Sequence, residues 1–276
     1  MSTVELRAGD VVTRVGARTD VGLKRRLNED SILALPALYL VADGMGGYEA
    51  GDEASQAVAE AFRTVVGERA SVELDDIREA LERADDAVAQ VAAHTQRGAG
   101  STVAGAAIVT GEEPTWVFFN VGDSRVYRHL GSVLQQITVD HSLGQELFAL
   151  GTITAEELAV FPDRNVITRA IGAADAEADS WSMPVHNGDR ILICSDGLTS
   201  EVPDEVIRVT LGTIEDPDDA AAALVDLARR SGGRDNISVI VVDVVSGGRD
   251  PESDERSDGD NESFLEETTV PSGTSS

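Results

Sequence analysis

Apolar residues recur along this chain at two spacings, and the spacing separates predicted strands from predicted helices. Short apolar or alternating runs predict strands over residues 11–21, 31–35, 38–42, 102–109, 115–121, 125–129, 133–138, 166–171, 178–184, 190–194 and 237–245. Helical spacing predicts helices over residues 52–66, 74–94, 203–211 and 218–231. We expect the strands between residues 102 and 138 to be antiparallel neighbours.

Strands therefore cluster between pairs of helices and do not alternate with them one by one. This order favours an α+β domain of antiparallel sheets over a doubly wound parallel sheet. Two sheets packed together and covered by helices on both sides would bury every apolar face. The predicted fold is a four-layer α-β-β-α sandwich.

Two segments depart from this rhythm. Residues 139–165 are irregular apart from short helical patterns near residues 142–150 and 155–158, and we interpret them as a flap over a site. Residues 247–276 are rich in Gly, Ser, Asp and Glu, which predicts an acidic disordered tail. Residues 1–246 are then one catalytic domain.

Composition limits the possible partners and the compartment. The formal net charge of −28 repels nucleic acids and anionic lipid surfaces, so neither is an expected partner. The sequence has neither an apolar run of 18 residues nor a signal-like leader, which predicts a soluble cytoplasmic protein. Cys194 is the only cysteine and lies in an apolar run, so we expect a buried core residue.

The most informative pattern is an aspartate next to the end of an apolar strand and close to a glycine. It occurs four times, at Asp43, Asp123, Asp196 and Asp235. Aspartate and glycine are common in turns, so any single occurrence has a plain structural explanation. Four carboxylates gathered at one rim of a sandwich would repel one another by several kcal/mol. Hard divalent cations remove that repulsion, and without paired His or Cys ligands the site favours Mn²⁺ or Mg²⁺ over zinc.

Such a site suggests phosphoryl chemistry. Two ions about 3.5–4 Å apart could share Asp43, bridge a water molecule, lower its pKa and hold a phosphoryl group for in-line attack. The glycine after Asp43 would allow a close approach of the backbone carbonyl of Gly44. The nonbridging phosphate oxygens need a positive group, and we select Arg25 because a planar guanidinium binds phosphate bidentately.

Taken in order, these segments resemble the metal-dependent protein phosphatase family, the type 2C serine/threonine phosphatases, and especially its bacterial members. The resemblance spans about residues 12 to 245. Its motifs are Thr19-Asp20-Val21-Gly22, Asn28-Glu29-Asp30, Asp43-Gly44-Met45-Gly46-Gly47, Gly100-Ser101-Thr102, Gly122-Asp123-Ser124-Arg125, Asp140-His141-Ser142, Ser195-Asp196-Gly197-Leu198 and Arg234-Asp235-Asn236. So many motifs in one order make coincidence a poor explanation.

The resemblance implies the sandwich fold and a binuclear Mn²⁺ or Mg²⁺ site at one end of it. By position, Asp43, Asp196 and Asp235 match the ligands of one ion. Asp43 and the carbonyl of Gly44 match the ligands of the other. In bacterial members a third ion is held by residues that match Asp123 and Asp196.

The resemblance also assigns roles around the metals. Arg25 matches the phosphate-binding arginine, and Glu29 and Asp30 match acceptors for metal-bound water. Two positions depart from the pattern. Met45 replaces the histidine proposed as general acid in animal members, so the leaving alkoxide needs another proton source, such as a metal-bound water. Asn165 replaces a flap serine that helps hold the third ion.

Among the four histidines only His141 lies in a family motif, and we favour a role in ordering the flap entrance over a catalytic one. The predicted function is hydrolysis of phosphoserine and phosphothreonine in proteins by a monomer that opposes bacterial Ser/Thr kinases. One alternative is a pseudophosphatase, which the intact ligand set disfavours. Another is a stage-specific regulator acting on an anti-sigma antagonist, which Arg25 disfavours.

The predicted tail contains two adjacent threonines, Thr268 and Thr269, after two glutamates. One hypothesis is that a kinase phosphorylates them and that a phosphothreonine-binding domain recognises the product. A solvated terminal run explains the same residues.

Overall fold

The structure, a computed structural model, describes residues 3–46, 50–67, 69–95, 98–111 and 113–250. The strands are β1 Val4–Ala8, β2 Val11–Asp20, β3 Asp30–Leu35, β4 Leu38–Gly46, β5 Ala99–Ser101, β6 Val103–Val109, β7 Thr115–Val121, β8 Arg125–Leu130, β9 Val133–Gln136, β10 Asp179–Pro184, β11 Arg190–Cys194 and β12 Ile237–Ser246. The helices are α1 Ala50–Val66, α2 Leu74–Ala93, α3 Leu143–Ala149, α4 Ala155–Val160, α5 Asp196–Thr199, α6 Asp204–Thr213 and α7 Pro217–Ser231.

The strands form two antiparallel sheets. One has the order β1-β2-β12-β11-β8-β9, and the other has the order β10-β7-β6-β4-β3 with β5 paired to β4. Helices α1 and α2 pack on the second sheet, whereas α6 and α7 pack on the first. The predicted α+β sandwich of four layers is therefore confirmed.

Alternation along β12 shows how the layers are held together. Ile240, Val242 and Val244 join the core between the two sheets. Val239 and Val241 lie on the opposite face, in the core that the first sheet shares with α7. Because successive side chains of a strand point to opposite faces, a strand in the middle of four layers is apolar on both.

Several sequence predictions were wrong in detail. Strands β7 and β8, expected to be neighbours, lie in different sheets, and residues 122–124 carry the chain from one sheet to the other. Residues 166–171 are not a strand, because only Ile167 and Ile171 make isolated pairings, with Ser142 and Ser101. Edge strand β1 and the short helix α5 were not predicted. The first is mostly exposed and the second is too short to show a period.

The chain stays bound to the domain beyond the predicted boundary at residue 246. Residues 247–250, predicted to belong to the tail, remain bound to the domain, for Gly248 N–H donates to Asn187 Oδ1 at 2.9 Å. The predicted disorder of the remaining tail, and the hypothesis about Thr268 and Thr269, concern residues outside the described part of the chain. Of the described helices, none combines the length and apolarity that a membrane crossing requires. Cys194 is buried in β11, as predicted.

A buried ion pair ties the two sheets together. Asp189, which is 0% exposed, accepts hydrogen bonds from Arg128 Nε of the first sheet at 2.8 Å and Trp116 Nε1 of the second at 3.2 Å. The backbone N–H of His186 donates to the same carboxylate at 2.9 Å. A buried carboxylate tolerates its desolvation only when its oxygens are bonded in this way.

We predict that Asp189→Ala destabilises the fold by about 3–5 kcal/mol, since it leaves the Arg128 charge and the Trp116 N–H buried without their partner. Urea unfolding followed by circular dichroism measures this loss as a lower midpoint at constant slope. The matched control is Glu79→Ala, which removes an exposed ion pair with Arg83 and should change stability by less than about 1 kcal/mol. Equal effects of the two substitutions would contradict the prediction.

Candidate metal centre

Strand topology brings the four predicted aspartates to one end of the sandwich. Strands β4 and β7 both pair antiparallel with β6, so they run in the same direction. Asp43 near the end of β4 and Asp123 just after β7 therefore lie at the same end of one sheet. In the other sheet β11 pairs antiparallel with β12, so Asp196 after β11 lies beside Asp235 before β12. Asp30 adds a further carboxyl group, directly opposite Asp43 in the β3–β4 pairing.

The two sheets meet at this end, where Ser195 after β11 donates a hydrogen bond to Asp30 of β3 at 2.9 Å. Burial, followed by the charges of Asp30, Asp196, Asp123 and Asp235, raises the pKa of Asp43 well above its usual value. Aspartates from both sheets therefore act on one carboxyl group. Four strand ends that are far apart in the sequence share one electrostatic environment.

The other carboxyl groups are perturbed in the same direction. Burial and the nearby charge of Asp196 raise the pKa of Asp123 to about 8. Burial is the main cause that raises the pKa of Asp30 to about 7 and the pKa of Asp196 to about 6. At neutral pH these groups hold protons or need a positive neighbour.

The donor set fits hard divalent cations. Burial and the charge of Asp235 raise the pKa of Asp196, and a hydrogen bond with Asp43 offsets only part of this rise. Asp30 Oδ1 is buried and has no hydrogen-bond partner among the described residues, although Ser195 donates to its other oxygen at 2.9 Å. The donors are carboxylate oxygens, which suit Mn²⁺ or Mg²⁺.

The described side chains are not already arranged as a closed ligand shell, since no three acidic, histidine or cysteine groups among them surround one point. Asp235 is bonded to Arg25 instead, with 2.7 Å between Oδ2 and Nη2. Glu29 lies 3.6 Å from the same guanidinium. The predicted phosphate-binding arginine is thus at the carboxylate cluster and 47% exposed, with its charge turned toward two of the predicted site residues.

The loop that carries Arg25 is held by Asn236, a residue to which the sequence prediction gave no role. Its side chain, 3% exposed, accepts from Glu29 N–H at 2.8 Å and donates to the carbonyls of Val21 and Leu27 at 3.0 and 2.9 Å. The buried amide therefore fixes both ends of residues 21–29. Its position next to Asp235 in a family motif was the available signal.

Position 44 must be a glycine because the backbone of two other segments lies very close to it. A side chain there would place Cβ 1.9 Å from the carbonyl oxygen of Gly51 and 2.7 Å from that of Glu29. Gly44 N–H also donates to the Glu29 carbonyl at 3.0 Å. The contact packs the start of α1 against the strand that bears Asp43, so no residue with a side chain fits.

His141 orders the turn before Asp123. The ring Nδ1 of His141 accepts a hydrogen bond from Gly122 N–H at 3.1 Å, and the backbone N–H of His141 donates to the Gly122 carbonyl at 2.9 Å. On the other side of the ring, Nε2 lies 3.2 Å from Asp179 Oδ2. The flap entrance and the Asp123 turn are therefore joined through one buried imidazole.

Residues 139–165, interpreted as a flap, line a cavity together with two of the site carboxyl groups. This segment contains helices α3 and α4, whose bounds nearly match the helical patterns predicted there. Between the flap and the sandwich is a cavity of about 630 Å³, lined by Asp123, Asp196 and Asn165 among others. Asn165, which replaces the flap serine of the family pattern, therefore lines the same cavity as Asp123 and Asp196. Met45, which replaces the expected histidine, lies in β4 with its side chain close to Gly100.

Comparison with known proteins gives one family. The family model described as Protein phosphatase 2C matches residues 26–233. The serine/threonine protein phosphatase PstP of Mycobacterium tuberculosis is 39% identical over 238 residues, which are 85% of this chain and 46% of PstP. The serine/threonine phosphatase Stp of Listeria monocytogenes is 33% identical over 84% of this chain and 97% of its own length.

Solved structures of phosphatases of this family have the same fold as this chain. The crystal structure of PstP superposes with a TM-score of 0.79 at 36% identity, covering 86% of this chain and 100% of that one. The PstP catalytic domain in complex with two manganese ions gives a TM-score of 0.76 with the same coverage. The chain therefore spans about half the length of PstP but corresponds to the whole of the PstP crystal structures.

We predict that the metal-free protein becomes less stable as the pH rises from about 4 to about 8. The folded chain keeps protons on Asp196, Asp30 and Asp123 up to pKa values of about 6, 7 and 8, whereas an unfolded aspartate loses its proton near pH 4. The native state binds more protons in this window, so the stabilisation is complete below pH 4 and lost through pH 8.

Urea unfolding in a chelating buffer at several pH values measures this slope. Saturating Mn²⁺ should reverse it, with about 2.7 kcal/mol of added stability at 100 times the dissociation constant. Stability in chelator that stays level or rises between pH 5 and 8 would contradict a cluster of mutually repelling carboxyl groups.

We predict that Asn236→Ala releases the loop of residues 21–29 and lowers stability by about 1–3 kcal/mol, since one backbone N–H and two carbonyls lose a buried partner. Hydrogen exchange of that loop should become at least tenfold faster. The control is Asn187→Ala, which unties residues 248–250 at a different place on the domain. If Asn187→Ala accelerates exchange in residues 21–29 equally, Asn236 does not hold the loop.

Proposed function

Because this chain belongs to the protein phosphatase 2C family, we propose that it is a metal-dependent phosphatase that hydrolyses phosphoserine and phosphothreonine in proteins. The observation that carries the proposal is the meeting of Asp43, Asp123, Asp196 and Asp235 at one end of the two-sheet sandwich, beside Arg25. The curated relatives are named serine/threonine phosphatases, which supports the substrate class. Residues 1–246 form the proposed catalytic unit, with residues 139–165 as its flap.

We propose that Asp43, Asp196 and Asp235 hold one Mn²⁺ or Mg²⁺ ion, and that Asp43 and the carbonyl of Gly44 hold a second. A relative solved with two manganese ions supports the number. Asp123 together with Asp196 is the proposed site of a third. When bound, such ions supply Lewis-acid charge and lower the pKa of water.

Arg25 is the proposed phosphate-binding group. In the structure its guanidinium is bonded to Asp235 and close to Glu29. A cation held by Asp235 would compete with Arg25 for this carboxylate and would leave the exposed guanidinium available to the substrate. A guanidinium can then donate two parallel hydrogen bonds to phosphate oxygens, while Glu29 keeps its orientation. Asp30, buried with a free Oδ1, is the proposed acceptor for an ordered water molecule.

The departing alkoxide of serine or threonine needs a proton, and the described residues limit its source. Met45 has no titratable group. Both ring nitrogens of His141 are engaged, one by the Gly122 amide and the other by Asp179. We therefore propose that the proton comes from water and that His141 keeps its structural role.

The physiological substrates, the opposing kinases, the location and the oligomeric state of the protein stay predictions. Phosphoproteins are the proposed substrates, with bacterial Ser/Thr kinases acting in opposition. A cytoplasmic location, a monomeric state and recognition of the tail by a phosphothreonine-binding domain are predictions that rest on the sequence alone.

We predict that Arg25→Ala lowers kcat/KM for a Mn²⁺-supported phosphothreonine peptide by about 10²–10³, the usual loss when one preorganised donor to the transition state is removed. Arg25→Lys should restore part of this loss, because it returns the charge without the bidentate geometry. Asp43→Asn should abolish measurable turnover. The control, Arg78→Ala on the outer face of α2, should stay within twofold of the parent. Full activity of Asp43→Asn or Arg25→Ala would refute the proposed function.

A further inference from the structure

One loop concentrates positive charge on a strongly acidic chain. The sequence has 22 Lys and Arg against 50 Asp and Glu. Residues 23–27, Leu-Lys-Arg-Arg-Leu, are consecutive and all exposed, and we call them the basic loop. Lys24 is the only lysine in the chain.

The basic loop is held against the domain next to the candidate metal centre. Leu23 N–H donates to the Gly233 carbonyl at 2.7 Å, and the Leu27 carbonyl accepts from Asn236. Arg25, at the middle of the loop, is bonded to Asp235. Its position is therefore set by backbone and buried side-chain contacts on both sides, which lowers the entropy lost when a partner binds.

Two of the three positive charges on this loop, Lys24 and Arg26, have no carboxylate partner, whereas Arg25 is bonded to Asp235. Among the described cations, only Lys24, Arg26 and the flap residue Arg164 form no ion pair. Arg164 lines the same cavity as Asp123 and Asp196. Lys24 and Arg26 are the chain neighbours of Arg25, which is bonded to Asp235, so the unpaired positive charge of the described residues lies on segments next to the candidate metal centre.

Two exposed leucines flank these cations. Leu23 is 56% exposed and Leu27 is 49% exposed, and both are large apolar side chains. A surface with two free cations between two apolar side chains suits a peptide segment that is acidic but also carries apolar groups.

We propose that the basic loop is a docking surface for acidic residues beside the phosphoserine or phosphothreonine of a protein substrate, with Lys24 and Arg26 as the contacting charges. This inference rests on the proposed function. A net charge of −28 repels acidic proteins, and local cations within a Debye length of about 8 Å can reverse that repulsion at the site. Lys24 and Arg26 adjoin Arg25 in the chain, so acidic residues within about three positions of the phosphoresidue would reach them.

The test uses three phosphothreonine peptides that differ only in acidic, neutral or basic flanking residues, with the full chain and Mn²⁺. We expect kcat/KM of the parent to be at least about fivefold higher for the acidic than for the neutral peptide, through KM. The double substitution Lys24→Gln/Arg26→Gln should bring this ratio close to one, and so should 0.5 M salt. The control, Arg78→Gln/Arg83→Gln on α2, removes two exposed charges away from the site and should leave the ratio as in the parent.

The single lysine allows a direct readout of contact. Carbodiimide coupling joins a carboxylate to a nearby amine, and Lys24 is the only side-chain amine available. We expect the acidic peptide to be coupled to Lys24 in the parent and not in Lys24→Gln/Arg26→Gln, as mass spectrometry of the digest would show.

The outcomes separate the two proposals. A ratio near one in the parent, with normal turnover of the neutral peptide, overturns the docking surface and leaves the phosphatase function intact. No turnover of any phosphopeptide overturns the function itself. Coupling of Lys24 to acidic residues of the chain's own segment 251–276, with faster turnover of the neutral peptide by the double variant, would assign the surface to that segment and also overturn the proposal.

Discussion

Repulsion among carboxyl groups held together by the fold is the constraint on which the site depends. Asp30 and Asp43 face each other across one strand pair, and Asp196 and Asp235 reach the same place from the other sheet. Burial and mutual repulsion raise the pKa of Asp43, so folding the chain without a cation keeps this end of the domain under electrostatic strain. The shared hydrogen bond between Asp43 and Asp196 and the recruitment of Arg25 by Asp235 are the available relief. A divalent cation held there, as proposed, would offset the same repulsion and would compete with Arg25 for Asp235.

The rest of the molecule keeps this end in place. Two apolar cores, one between the sheets and one beneath α6 and α7, supply the burial that offsets the repulsion. The buried Asp189 is fully bonded and joins the sheets, whereas Asp30 of the site keeps a buried Oδ1 without a hydrogen-bond partner among the described residues. Asn236 and His141 then fix the two turns that carry Arg25 and Asp123. Functional groups placed on rigid elements in this way lose little precision when a ligand binds.

Charge acts at two ranges in this protein. The whole chain is acidic, which favours solubility and repels anions at a distance. Arg25 is bonded to Asp235, and its chain neighbours Lys24 and Arg26 are exposed, so three positive charges lie on one loop beside the site. An anionic substrate of the proposed phosphatase would meet these charges next to the site and repulsion from most of the remaining surface, a contrast that favours orientation over general adhesion.

The sequence by itself determined most helices and strands, and it singled out the four aspartates and Arg25 as candidate site residues. Apolar periodicity and the residues at strand ends are local features, so neighbouring residues suffice to reveal them. The sequence did not determine which strands are partners. Strands β7 and β8 are consecutive yet lie in different sheets, and residues 166–171 have an apolar strand-like pattern but pair only at single positions. It also did not show that Asn236 holds the loop of Arg25, since those hydrogen bonds join residues more than 200 positions apart. Strand pairing and buried hydrogen bonds are contacts between distant segments, so only the tertiary structure decides them.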